Sequence, residues 1–164
     1  MHPPPDRYDG GVRLAAKKGS SMKLTQVSVF LENKKGRLYD VCAALSAGKI
    51  NIRALTVAES DNFGILRMVV DKPEATAALL KKKGFISNFT EIVAVEVGDK
   101  PGGLARVLKV INQNSLNVEY MYGFTEKLTD TALMVFRFDK PDAAIRILKK
   151  NGIGVVSRKE AGEL

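Results

Sequence analysis

Two short stretches hold the residues best suited to chemistry. Asp99-Lys100-Pro101-Gly102-Gly103-Leu104 sets an acid, a base and two glycines directly before an amphipathic run, and Asn33-Lys34-Lys35-Gly36-Arg37-Leu38 occupies the corresponding place earlier. Glycine lets the backbone approach a ligand closely. The start of a helix offers unpaired N–H groups and the positive end of a dipole, which suit a carboxylate or phosphate. Asn33 or Asp99 can cap the helix or hold an ammonium group, and an α-amino acid carries that pair of charges. The same residues equally describe a tight turn closed by an N-cap, with no ligand.

These stretches are parts of a longer repeat. Val27 to Leu38 returns 66 positions later as Val93 to Leu104, and Asp71-Lys72-Pro73-Glu74-Ala75 returns 68 positions later as Asp139-Lys140-Pro141-Asp142-Ala143. Lys81-Lys82-Lys83-Gly84 reappears as Lys149-Lys150-Asn151-Gly152. The offset grows by two, so the second copy carries a short insertion, expected in the turn from Thr125 to Asp130 because loops tolerate length changes. A repeat of this length means two copies of one compact unit.

Both copies read in one order. Gln26 to Leu31 and Ile92 to Val97 alternate as strands do. Leu38, Val41, Cys42 and Leu45, like Leu104, Val107, Leu108 and Ile111, fall at i, i+3, i+4 and i+7, one apolar helix stripe. Gly48 and Asn114 mark the helix ends. Strands follow at Asn51 to Ala58 and Asn117 to Phe124, then a strand from Gly64 to Val70. Lys72-Pro73 opens a second helix with proline in its first turn, its inward face being Thr76, Leu79 and Leu80, mirrored by Ala144, Ile147 and Leu148. Short strands at Phe85 to Ser87 and Ile153 to Ser157 close the units. Strand-helix-strand-strand-helix-strand predicts an α+β fold, two ferredoxin-like βαββαβ sandwiches in tandem. The expected divisions are a disordered extension at residues 1–21, a first domain at 22–88 and a second at 89–164. The extension has prolines and glycines but few large apolar residues; it reads as an upstream start or added sequence before Met22.

Composition narrows the classes. Of 164 residues, 45% are hydrophobic and 27% charged, ordinary for a globular protein. No apolar run approaches a membrane span of about 20 residues, and the start lacks a signal core, so a cytoplasmic protein is expected. The single cysteine, Cys42, excludes an internal disulfide and fits a reducing compartment. Units this small bury little apolar surface, so a homodimer is the expected assembly. The net charge of +8 lies mostly before residue 89; its densest cluster, Lys81-Lys82-Lys83, precedes Gly84 at a helix end, where cations complement the dipole.

Catalysis has no candidate. The one histidine, His2, is in the extension, Cys42 lies on an inward stripe, and no His, Cys or acid cluster has metal-ligand spacing. No Walker or Rossmann glycine pattern calls for a nucleotide cofactor. RNA-recognition modules share the topology but stack bases on aromatics of the central strands. Here the outward residues are Gln26, Ser28 and Phe30 in one copy and Ile92, Ala94 and Glu96 in the other, so nucleic acid is not an expected partner. Tyr120, Tyr122 and Phe124 share one strand face, which suits a pocket or a seam, packing being the simpler role.

With these features assembled, the chain resembles the ACT domain, a family of small-molecule sensing modules. The resemblance rests on the strand, the Asp/Asn-x-x-Gly-x-Leu loop, the amphipathic helix and Gly48-Lys49-Ile50-Asn51-Ile52. Ile52-Arg53-Ala54-Leu55 and Asn62-Phe63-Gly64-Ile65-Leu66-Arg67 make it similar to stand-alone tandem ACT proteins. It covers about residues 22–158. The second copy matches the opening motif better; the first has Asn33 for the common acid and Lys35 for the common proline, while Asn114 replaces a glycine before Ser115-Leu116-Asn117-Val118. The resemblance implies a non-catalytic regulatory protein binding an amino acid between the first loop of one domain and the second-strand start of its neighbour. It nominates Asn33, Gly36, Arg37, Leu38, Asn51 and Ile52 in copy one, and Asp99, Gly102, Gly103, Leu104, Asn117 and Val118 in copy two. Arg37 faces Gly103 in the comparison of copies, so unequal sites are expected. A subunit that docks on an enzyme of amino-acid metabolism without a ligand is the other reading.

Overall fold

A computed structural model of the chain describes residues 21–60, 62–127 and 130–163. All but Ser21 of the expected extension, and part of the turn expected to hold the insertion, lie outside these residues. The first copy folds as β1 (Leu24–Glu32), α1 (Arg37–Ala47), β2 (Ile52–Ser60), β3 (Phe63–Val70) and α2 (Pro73–Lys82). It then enters β4 (Ile86–Gly98), which leads into α3 (Gly103–Gln113), β5 (Val118–Lys127), β6 (Thr131–Phe138), α4 (Pro141–Lys150), β7 (Val155–Val156) and α5 (Arg158–Glu163). This is the pair of βαββαβ units that the alternating periods predict, with two differences.

The first difference is that one strand serves both units. Sequence patterning separates Phe85–Ser87 from Ile92–Val97, yet no glycine or proline interrupts the residues between them, and the strand runs through. Its first half pairs antiparallel with β1, from Phe30↔Ile86 to Leu24↔Ile92. Its second half pairs with β6, from Val93↔Phe136 to Gly98↔Thr131. The expected division at residue 88 therefore falls inside β4. The second difference is α5, which follows the last strand.

The strands form one seven-stranded sheet ordered β1-β3-β2-β5-β6-β4-β7, with β1 also paired to β4. Six strands thus close on themselves, the β2–β5 contact being the single pair Ala54↔Phe124. Period-two alternation sorts the side chains into an outer and an inner layer. Outside, Val27, Val29, Leu66 and Met68 pack under α1 and α2 with Val41, Leu45 and Leu80. Val93, Val95, Phe136 and Phe138 do the same under α3 and α4 with Val107, Ile111 and Leu148. Inside, Leu24, Ala54, Val69, Ile92, Ala94, Tyr122, Leu133 and Val135 form a third core between the units. The positions where an RNA-recognition sheet would display aromatics belong to this layer: Gln26, Ser28, Ile92 and Ala94 are buried.

One local reading is corrected. Leu38 is 43% exposed, and the buried face of α1 is Val41, Ala44 and Leu45. Gly48 does end α1 as its C-cap, with an ordinary φ of −80°. A Cβ there would meet Leu79 Cδ2 at 2.8 Å, so this glycine lets α1 approach α2. The left-handed residues after α1 and α3 are Lys49 and Ser115.

Candidate functional site

The two first loops share one backbone. Gly36 and Gly102 are the N-caps of α1 and α3, with φ of 90° and 83°. In both loops the residue at the first helical position bonds back, Arg37 N–H to the Lys34 carbonyl and Gly103 N–H to the Lys100 carbonyl. Asp40 and Arg106 N–H then bond to Gly36 and Gly102. The N-cap residue of each helix makes no side-chain cap bond, and Asn33 and Asp99 are not the N-cap residues. The left-handed glycine takes the N-cap place three residues later. Neither Gly36 nor Gly102 has a heavy atom within 4 Å of where a Cβ would stand. Their glycine is required by φ and not by crowding.

Gly103 is required by space. A Cβ there would lie 1.9 Å from the Gly98 carbonyl oxygen. Beside this close approach an open cleft is lined by Glu96, Asp99, Gly102, Gly103, Arg106 and Gly154, among others. Gly154 makes room for an acid, since a Cβ on it would lie 2.1 Å from Glu96 Oε2. The cleft therefore sets Glu96 and Asp99 against Arg106 and the first amides of α3. Leu104 and Ala105 stand in that first turn, where no carbonyl lies four residues back inside the helix. A lining that carries both acids and a base can hold a group that carries both charges.

The first unit fills the same space. Arg37 replaces Gly103, and its guanidinium lies 4.5 Å over the ring of Phe85, which replaces Ile153. Arg37 Nη1 also pairs with Asp40 at 3.4 Å, where Arg106 stands in the second unit. Lys34 pairs with Glu32 at 2.7 Å, and this contact holds the Glu32 carboxyl below its ordinary range. The acid and bases of this loop are thus engaged with one another.

The second-strand residues lie elsewhere. Gly98 pairs with Thr131 and Val118 with Phe138, so within one unit the loop and the strand start sit at opposite ends of β6, about 23 Å apart. Glu32↔Phe63 and Ile52↔Val70 place the first unit's pair likewise. Near the cleft, Asp99 lines a hollow with Phe124 and Thr125, and the Thr125 hydroxyl donates across to the Arg53 carbonyl of the first unit at 2.8 Å. Asn51 and Asn117 have a structural task. Their N–H groups donate to Asp71 Oδ1 at 3.0 Å and Asp139 Oδ1 at 3.1 Å, and their carbonyls accept from the same aspartates. This explains why Asp-Lys-Pro recurs. Ile52, Leu104 and Val118 are partly buried against the outer cores.

Sequence reasoning missed Glu96 and Arg106. Their signal was the loss of like residues between copies, Phe30 and Asp40 standing at the matching positions. Among the described residues no group of His, Cys, Asp and Glu could hold a metal ion, and no helix is long and apolar enough to cross a membrane.

Comparison with known proteins agrees with this architecture. A family model described as an ACT domain pair matches residues 22–164. The crystal structure of protein BT0572 from Bacteroides thetaiotaomicron is similar, with 34% identity, a TM-score of 0.83, and coverage of 89% of this chain and 100% of that one. The regulatory subunit of aspartate kinase from Thermus thermophilus, in its ligand-free form, shares the fold at 14% identity and a TM-score of 0.58, over 79% of this chain and 93% of that one. Its counterpart from Thermus flavus does so at 13% identity and 0.55, over 77% and 90%. No curated protein matches the sequence.

Proposed function

This chain belongs to the ACT domain-pair family, and we propose that it is a non-catalytic regulatory protein that binds a free amino acid in the first-loop cleft of its second unit. The observation that carries this reading is the inequality of the two loops. Glu96, Asp99, Arg106 and the start of α3 line one open cleft, whereas Arg37 lies over Phe85 at the equivalent place. The ammonium group would lie toward Glu96 and Asp99, and the carboxylate toward Arg106 and the helix start, which favours negative charge. A ligand signals only through different affinity for two arrangements. The link from Asp99 through Thr125 to Arg53 gives the cleft a path to the neighbouring unit.

A second copy is the partner proposed for the first unit, in the reducing cytoplasm that the lone cysteine suits. Leu55 and Val57 lie on the helix side of β2, opposite Met68 and Leu66, yet are 38% and 48% exposed. Leu38 and Tyr39 of α1 are also exposed, and an apolar patch of this kind marks an association surface. This surface equally suits docking on an enzyme of amino-acid metabolism, the reading without ligand.

Isothermal titration of the full chain with free amino acids tests the main reading. One of them should bind saturably, and Arg106→Met and Glu96→Gln should each weaken it about tenfold, the order expected for a charge-assisted hydrogen bond. Absent heats across the panel at millimolar ligand would refute it.

A further inference from the structure

The second strand of each unit opens on an irregularity, and the residues there carry opposite charge. Pairing with β3 slips between Ile52 and Ala54, and pairing of β5 with β6 slips between Val118 and Tyr120. The displaced residues are Arg53 and Glu119. Glu119 meets its counter-ion within its own unit, Arg137 Nε lying 3.3 Å from its Oε2. In the first unit the residue at the place of Arg137 is Val69: Arg137 pairs with Tyr120 as Val69 pairs with Ala54. Arg53 therefore has no counter-ion at the place where the fold supplies one to Glu119. Its Nε is buried with no hydrogen-bond partner, and among the described residues no carboxylate pairs with it. Buried polar atoms are almost always satisfied, so an exception calls for an explanation.

Arg53 lines a cavity of about 200 Å³ at the edge of the core between the units. That is smaller than the roughly 300–1,000 Å³ of sites for drug-sized ligands, so an occupant must be small. Leu24, Val69 and Ala161 form an apolar wall. Arg158 of α5 supplies a second guanidinium and donates to the Thr25 hydroxyl. Its N–H bonds the Ser21 carbonyl at 2.9 Å, and Ala161 is buried, so α5 is seated against this space. Asp71 and Glu74 stand on the same lining. Asp71 already accepts from Asn51, and two acids against two guanidiniums disfavour a multiply charged anion such as phosphate.

We infer that this cavity is a second binding site, for a small aliphatic monocarboxylate, with Arg53 and Arg158 binding the carboxylate and Leu24, Val69 and Ala161 enclosing the aliphatic body. It is separate from the first-loop cleft and does not depend on that cleft's ligand. Closure by α5 makes the helix the element that the ligand orders.

Isovalerate is a suitable probe, titrated into the full chain by calorimetry, with amide exchange of α5 followed in parallel. Saturable binding is expected at millimolar concentration or below, together with slower exchange in α5. Arg53→Met and Arg158→Met should each weaken it about tenfold or more, while Arg106→Met should leave it unchanged. Arg158 is exposed, so its variant is expected to fold even where that of Arg53 does not. No saturable binding by the unmodified chain, or unchanged affinity in Arg158→Met, would overturn the proposal. Loss of isovalerate binding in Arg106→Met would overturn it too, because the carboxylate would then be held at the first-loop cleft.

Discussion

The Tyr122 hydroxyl donates to the Gln26 side-chain carbonyl at 2.7 Å, tying β5 of the second unit to β1 of the first. Gln26 is fully buried, and its amide donates to the Tyr120 hydroxyl at 2.8 Å and to Ser28 Oγ at 2.9 Å. Arg67 stacks 4.0 Å over the Tyr120 ring. A polar network so placed fixes how the two units face each other, because shifting them would leave buried groups unpaired.

Tyr122→Phe should destabilise the chain by about 1–3 kcal/mol in chemical denaturation, since it orphans the Gln26 carbonyl. Burial pushes the Tyr122 hydroxyl well above the ordinary tyrosine range. The sign follows: the unfolded chain ionises above about pH 10 while the folded chain stays neutral. The stabilisation by Tyr122 is therefore complete below that pH and declines above it. A difference between wild type and Tyr122→Phe that grew above pH 10 would contradict this assignment.

Gly102→Ala and Gly103→Ala separate two reasons for glycine. At Gly102 the cost is backbone strain alone, about 1–2 kcal/mol for a left-handed residue. At Gly103 the Cβ would meet a backbone carbonyl oxygen at 1.9 Å, so the start of α3 must move. Gly103→Ala should be the more destabilising in thermal unfolding, and the reverse order would show that the loop relaxes freely.

How much of this was legible in the sequence depended on whether a residue answered to local rules. Alternation, helix stripes and the repeated Pro at Pro73 and Pro141 placed the elements to within a few residues, because each is set by neighbours in the chain. The unbroken β4 was missed because its two halves are buried against different units, a tertiary matter. Leu38 was placed on the inward stripe because periodicity treats it as it treats Leu104, yet Leu38 is exposed and Leu104 is partly buried. The helix α5 did carry a signal, Ser157-Arg158-Lys159-Glu160, an S-x-x-E capping box. In the site, the tight turn before α3 was legible, but not that Gly102 itself would be its left-handed N-cap. Glu96 and Arg106 were not, since only the pairing with β7 and the turn of α3 bring them to one cleft.

That capping box predicts a pH response. Glu160 accepts from Ser157 N–H at 2.7 Å, and its own N–H donates to Ser157 Oγ at 3.3 Å. The bond from Ser157 holds the Glu160 carboxyl below its usual range. A depressed carboxyl stabilises above its unfolded value, about 4.3, and the effect is lost as pH falls through the folded value. Protection of the α5 amides, taken relative to unfolded-chain exchange at the same pH, should therefore fall between about pH 5 and pH 3, ahead of the strands. Glu160→Gln should flatten that response, and an unchanged profile would remove the carboxyl from the explanation.

The most direct test of unequal loops is to make them equal. Arg37→Gly removes the side chain that lies over Phe85 and pairs with Asp40, and leaves the left-handed Gly36 untouched. Glycine in place of another helical residue costs about 0.5–1 kcal/mol, which the fold should tolerate. If Arg37 is what fills the first cleft, titration with the amino acid that binds the wild type should gain a second, weaker binding event. It should be weaker because Phe30 and Asp40 stand where Glu96 and Arg106 supply the charges. Adding Asp40→Arg to Arg37→Gly restores a cation at that place and should strengthen the new event. The inverse exchange is uninformative about ligand, since any side chain at Gly103 meets the Gly98 carbonyl first. A single unchanged binding event in both variants would mean that the first loop is closed by its backbone, and Arg37 would lose its role as the residue that separates the copies.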